Sequence, residues 1–263
     1  METRTPCELV GLVPAAGKAR RLVSLPCSKE IYPVGFGSRD GDGPRPKVVC
    51  EHLLERMRLA GVRKAYVVLR KGKWDIPAYL GDGHQLDMRL AYLMMGAPFG
   101  VPYTLDQAYR FLDQATVVFG FPDLLFQPAD AFVHLLSRQT MTGADVVLGL
   151  FPSDRPSKMD MVERDPEGRV RTIVVKPAHT RLRYAWTIAV WGPAFTRFMH
   201  DYLARWQPTR TDTTTVEPEL FIGEVIQAAV TDGMAVQSAE FPHGRCVDIG
   251  TSEDLLRAVR EGV

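Results

Sequence analysis

The sequence predicts a doubly wound α/β fold with a mostly parallel, Rossmann-like sheet and β-rich insertions in its second half. Three observations carry that expectation. The first half of the chain alternates short apolar runs with amphipathic helical stretches. The first apolar run empties into a small-residue turn crowded with cations. In the second half, short strand-like runs follow one another closely, broken by turns.

The elements follow in order. Leu9 to Pro14 is an apolar run ended by small residues, a buried strand feeding a loop. Gly35 to Pro46 is dense in Gly, Asp and Pro and reads as an exposed loop. In KVVCEHLLERMRLAG, Val49, Leu53, Leu54, Met57 and Ala60 keep helical spacing and Gly61 supplies the stop. Ala65 to Leu69 is the next buried strand, so strand, loop, helix and strand form a βαβ crossover with parallel pairing. Thr104 to Asp113 reads as helix, Thr116 to Phe121 as strand, Pro128 to Thr140 as helix and Ala144 to Phe151 as strand. MVERD, Val170 to Val175 and Ala185 to Trp191 read as strands, Pro193 to Arg205 and Glu217 to Thr231 as helices, and Met234 to Phe241 as strand. TSEDLLRAVREG closes the chain as a helix capped at Thr251 or Ser252.

Composition narrows the function classes. The chain has 263 residues, 46% apolar and 24% charged, with a net charge of +1. That is ordinary for a globular protein with a real core, and it lacks the basic excess of a nucleic-acid surface. Cys7, Cys27, Cys50 and Cys246 form no CxxC pair or Cys/His cluster, so they read as reduced intracellular thiols. No apolar run approaches the roughly 20 residues of a membrane span, and METRTPCELV has no signal-peptide core. The expected setting is cytoplasmic, with neither membrane nor nucleic acid as partner.

The charge that is present is concentrated. In GLVPAAGKARRLVSLPCSKEIYPVG, Lys18, Arg20, Arg21 and Lys29 fall within twelve residues. A strand ending in small residues presents backbone N–H groups to an anion, and several cations suit several phosphates. A solvated basic loop would read the same way. GxxxxGK[ST] is absent, and GxGxxG fails because Gly17 stands alone.

Six segments carry a resemblance: PAAGKARRL with SKEIYPVG, AYVVLR with YLGDGHQLDMRLAY, GVPYTLDQA, FGFPDLLF, VVKP and RCVDIGTSEDLLRA. In this order, over almost the whole chain, they resemble the sugar-1-phosphate nucleotidylyltransferases, nearest the uridylyl and thymidylyl branches. The resemblance implies that a phosphate oxygen of an acceptor attacks the α-phosphorus of a nucleoside triphosphate and that pyrophosphate leaves, with Mg²⁺ as cofactor. It implies that Arg21 grips the β- and γ-phosphates and that Lys29 neutralises charge at the α-phosphate. Asp123 and Asp248 would hold the metal, and hard oxygen ligands suit it. Lys176 would hold the acceptor phosphate, with Tyr103 and Thr187 beside the acceptor. The backbone at Ala15, Ala16 and Gly17, with Gly100, would line base and ribose, and Lys18 would add to the triphosphate grip. Taken singly, each residue also fits a plainer role: surface charge for Arg21 and Lys29, turn-forming side chain for Asp123 and Asp248, loop lysine for Lys176. His179, Arg181 and Arg183 fit a solvated loop better than acceptor contacts.

The sequence departs from the family pattern where substrates are read. Ala19 and Arg20 replace small loop residues, and Met95 stands where a base-reading Gln is often found. Val175 replaces the Glu of V-E-K-P, and Ala185 and Thr187 replace Asn and Gly. Two readings follow: an enzyme with an acceptor other than glucose 1-phosphate, or a nucleotide-binding subunit that has lost catalysis. The resemblance is used up by about residue 260, so one catalytic domain over residues 1–263, without a C-terminal β-helix domain, is expected. Homo-oligomers are common in the family.

Overall fold

A computed structural model describes residues 7–17, 25–37, 43–96, 99–206 and 219–261. The first half holds β1 (Leu9–Pro14), β2 (Pro33–Gly37), β3 (Arg45–Val48), α1 (Val49–Leu59), β4 (Lys64–Arg70), α2 (Asp75–Leu80), β5 (Arg89–Met95), α3 (Val101–Asp106) and α4 (Tyr109–Leu112). It continues through β6 (Thr116–Gly120), β7 (Leu124–Gln127), α5 (Ala131–Thr142) and β8 (Val146–Pro152). The second half holds β9 (Met161–Arg164), β10 (Val170–Val174), β11 (Tyr184–Trp191), α6 (Pro193–Arg205), α7 (Ile222–Thr231), β12 (Val236–Glu240), β13 (Arg245–Asp248) and α8 (Ser252–Glu261).

Among the described residues one nine-stranded sheet forms the centre. β1 lies between β4 and β6, both parallel to it, and β5 extends the parallel side beyond β4. β11 runs antiparallel between β6 and β8, and β12 lies parallel to β8. The sheet is thus mostly parallel, as expected. Period-two alternation decides which side chains go to which face. Val117 and Phe119 of β6 join one core cluster, with Trp191, Phe195 and Val225, while Val118 joins the other, with Leu53, Met57 and Phe132. Helices therefore cover both faces, the condition for a buried parallel sheet.

Element boundaries differ most from expectation at four places. Gly35–Gly37 and Arg45–Pro46, expected as loop, belong to the antiparallel ribbon of β2 and β3, which Val34 anchors by its burial. The stretch Thr104–Asp113 is two short helices, the first beginning at Val101 with Pro102 in its opening turn and the second at Tyr109. The helix expected from Pro128 starts at Ala131, after a turn in which Ala131 N–H donates to the Pro128 carbonyl. The helix expected from Glu217 starts at Ile222, where the Phe221 N–H donates to Glu224 Oε2 at 2.8 Å; residues 217–218 lie outside the described residues.

Candidate active site

β1 hands the chain to Ala15, Ala16 and Gly17 at the edge of the cleft. Ala15 N–H donates to the Val68 carbonyl at 2.8 Å, and the methyl groups of Ala15 and Ala16 are buried in opposite core clusters. Gly17 is exposed. Lys18, Ala19, Arg20 and Arg21 lie outside the described residues.

Lys29, Asp123 and Asp248 come from three distant parts of the chain and converge. Lys29 opens a 3-10 turn, Lys29–Ile31, that is pinned from both sides. The Ser28 N–H and hydroxyl donate to the Asp75 carboxylate at 2.6 and 2.8 Å, and Glu30 pairs with Lys73 in full burial. Asp123 follows the end of β6, and its carboxylate pairs with the Lys29 ammonium. Asp248 ends β13, opposite Leu124 of β7, and the next residue, Ile249, donates its N–H to the Asp123 carbonyl at 3.1 Å. Backbone pairing therefore sets the two aspartates side by side.

Electrostatics bind the trio. Burial pulls the Lys29 ammonium down, but Asp123, helped by Glu30 and Asp248, outweighs it and holds the lysine above its ordinary range. Burial pushes the Asp123 carboxyl up, and Lys29 more than reverses that. Both shifts favour the charged pair. No group of three or more His, Cys, Asp or Glu in metal-binding proximity occurs among the described residues. Two carboxylates side by side, in a half-buried site, still fit a hard divalent cation, provided phosphate oxygens complete its shell.

The other candidates are distributed around this trio. Gly100 opens α3 at φ +122° and bridges to Leu220, whose carbonyl a Cβ would overlap. Tyr103 is half-buried, edge-on to Phe99 and Trp206 at 6.1 Å each, and so belongs to an aromatic group on the α3 side. Thr187 is fully buried and lines a cavity of about 60 Å³ with Ala185, Cys246 and Asp248, so it reaches the site from beneath the surface. Burial, with Asp248 nearby, pushes the Cys246 thiol up to about 12, leaving it protonated and inert. Lys176 follows β10 at φ +44°, with its ammonium 3.5 Å from the centre of the Phe221 ring. Met95 is buried, and its sulfur accepts from the Thr104 hydroxyl at 3.3 Å. His179, Arg181 and Arg183 are exposed, as expected of a solvated loop.

Sequence reasoning missed Glu30, Lys73, Asp75 and Asp160. Lys73 sits in LRKGKW and Asp160 in PSKMD, polar stretches with nothing to mark one charge as buried. Asp160 is half-buried beside Lys176, and its burial outweighs the lysine, pushing the carboxyl up to about 6.

A family model described as nucleotidyl transferase matches residues 10–262. Among curated proteins, the chain is similar to the low-salt glycan biosynthesis nucleotidyltransferase Agl11 of Haloferax volcanii, 25% identical over 214 residues, covering 81% of this chain and 56% of that protein. It is similar to a glucose-1-phosphate thymidylyltransferase of an Actinoplanes species, 27% identical over 252 residues, covering 95% of this chain and 76% of the other. One from Streptomyces griseus is 24% identical over 257 residues, with coverages of 95% and 64%. The chain thus spans between 56% and 76% of the length of these curated relatives. A crystal structure of a candidate glucose-1-phosphate thymidylyltransferase from Bacillus anthracis, in complex with sucrose, matches with a TM-score of 0.80 at 19% identity. It covers 96% of this chain and 94% of that one, a likeness that speaks to the fold.

Proposed function

Because the chain belongs to the nucleotidyl transferase family, we propose that it moves a nucleoside monophosphate from a nucleoside triphosphate onto a phosphorylated acceptor and releases pyrophosphate. The observation that carries this reading is the convergence of Lys29, Asp123 and Asp248 at the edge of the sheet. An acceptor phosphate oxygen forms a bond to the α-phosphorus, and the bond from that phosphorus to the bridging oxygen breaks. Attacker, target and leaving group are all anionic, so the protein's task is positioning and neutralisation.

Each residue has a part in this reading. Lys29, held charged and immobile, neutralises the α-phosphate. Arg21 and Lys18 grip the rest of the triphosphate. Asp123 and Asp248 are the residues that would hold Mg²⁺, which supplies charge neutralisation across the phosphates when bound. Ala15, Ala16, Gly17 and Gly100 give the base and ribose a backbone wall. Lys176 receives the acceptor phosphate, with Tyr103 and Thr187 shaping the surroundings.

Among nucleotides, UTP and dTTP are favoured, and the names of two relatives put dTTP first. The acceptor is a sugar 1-phosphate or a related cyclitol or modified phosphate. Val175 and Ala185 stand where the family pattern has Glu and Asn, which argues for an acceptor other than glucose 1-phosphate.

A thermal-shift panel of NTPs and dNTPs with Mg²⁺ tests the nucleotide. Ligand at a hundred times its Kd stabilises the fold by about 2.7 kcal/mol, so the cognate base stands out. Pyrophosphate release across a panel of sugar and cyclitol phosphates tests the transfer. Nucleotide binding with no pyrophosphate from any acceptor would overturn the enzymatic reading in favour of a binding subunit. Asp123→Asn is expected to leave the protein folded, with a lower melting temperature from the lost Lys29 pair, and to abolish Mg²⁺-dependent turnover; unchanged turnover would refute the metal assignment.

A further inference from the structure

Lys176 has an unusual backbone. Its φ of +44° lies in the left-handed region, which a side-chain-bearing residue enters only when its surroundings hold it there. Asp160 is the group that holds it. The Lys176 N–H donates to the Asp160 carboxylate, and the lysine's positive charge faces the same group. Asp160 is itself anchored, since its carbonyl accepts the Trp186 N–H at 3.2 Å.

The carboxylate reaches the turn through a gap in α7. A Cβ on Gly223, in the first turn of that helix, would overlap Asp160 Oδ2, with Asp160 Cγ at 2.9 Å and Val175 Cγ2 at 3.3 Å. The same helical turn seats the lysine's other partner. Glu224 Oε2 accepts the Phe221 N–H at 2.8 Å, and the Phe221 ring lies under the Lys176 ammonium. Two carboxylates, one ring and one glycine are therefore grouped around a lysine that is otherwise exposed.

We propose that Asp160 is a positioning residue for Lys176: its carboxylate holds the lysine's left-handed turn and aims the ammonium over Phe221, and Gly223 is the gap that admits the carboxylate. This rests on the reading of Lys176 as the grip on the acceptor phosphate. A lysine on a free stem loses rotamer freedom when it captures an anion, whereas one already held in place loses less. Asp160 thus tightens acceptor capture without touching the reacting atoms. Val175, lying against the same gap, closes it with an apolar side chain and keeps the carboxylate turned toward Lys176.

The test uses the full chain, inorganic phosphate as probe, and the variants Asp160→Ala, Asp160→Asn, Gly223→Ala and Lys176→Ala. Two quantities are read by mass spectrometry: hydrogen exchange in the peptide containing the Lys176 N–H, and the phosphate concentration that protects Lys176 from acetylation. In Asp160→Ala and Gly223→Ala, exchange is expected to rise at least tenfold, and protection to need at least tenfold more phosphate. Asp160→Asn, which keeps an acceptor but not the charge, is expected to fall between them and wild type. Wild-type exchange in both Asp160→Ala and Gly223→Ala would overturn the positioning role. Unchanged phosphate protection in those two variants would overturn its consequence for capture. If phosphate never protects wild-type Lys176, and Lys176→Ala leaves acceptor KM unchanged, the reading of Lys176 fails instead, and the exchange measurement still decides the role of Asp160.

Discussion

His52, on α1, is 5% exposed, and its Nε2 has no hydrogen-bond partner among the described residues. Burial, with Lys47 and Arg56 nearby, lowers its pKa to about 3. The ring is neutral in the fold and protonates near its ordinary value of about 6.5 in the unfolded chain. Stability is therefore lost as pH falls from about 6.5 toward 3, by at most about 1.4 kcal/mol per pH unit. Urea unfolding at pH 7 and pH 5 is expected to show up to about 2 kcal/mol more loss in wild type than in His52→Leu. Equal losses would show that folding leaves the imidazole's pKa unshifted. The same residue marks what one-dimensional reading misses. A histidine in a helical run carries no sign of burial, whereas Lys29, Asp123 and Asp248 became candidates because each lies within a recognisable segment.

The turn carrying Lys29 owes its placement to α2 and the residues just before it. Lys73 and Glu30 are both buried, and burial is the largest influence on each, raising the acid and lowering the base. Such a pair tolerates joint replacement better than loss of one partner. Lys73→Met is expected to lower unfolding free energy by about 3–5 kcal/mol, and adding Glu30→Gln to recover a substantial part. A double-mutant cycle in urea checks this, and additive losses would refute the coupling. Gly100 governs the entry to α3. At φ +122°, with Leu220 against it, Gly100→Ala is expected to cost on the order of 2–3 kcal/mol, read as a fall in unfolding midpoint. Helix α6 was legible to its ends, because Pro193 and the apolar spacing mark them. The α3–α4 pair was not, because no Gly or Pro announces the break at Gln107.

At the scale of the molecule, the site lies where the central sheet meets the small ribbon of β7 and β13. Helix α8 closes that corner. Thr251 accepts the Asp254 N–H at 3.2 Å, the expected cap, and donates to its carboxylate at 2.6 Å. Asp254, almost wholly buried, also takes Arg155 and Lys158 from the loop before β9. One side chain thus ties the C-terminal helix to the loop before β9. Asp254→Ala is expected to raise proteolytic cleavage within α8 at least tenfold and, on the proposed reading of Asp248, three residues before Thr251, to weaken Mg²⁺-dependent turnover. Unchanged cleavage would place the restraint on α8 in its apolar contacts with Val34 and Val49 instead.

Some of this protein is local and was readable in one dimension. Apolar periodicity determined the alternation of strands and helices, and the resemblance of six segments marked the candidate residues and the family to which the chain belongs. Tertiary structure decided the rest. It joined Ile249 to Asp123, buried Glu30 against Lys73, and set Asp160 into the gap at Gly223. The physical reason is that a charge's role depends on its burial and on partners many residues away, and neither is encoded by its immediate neighbours.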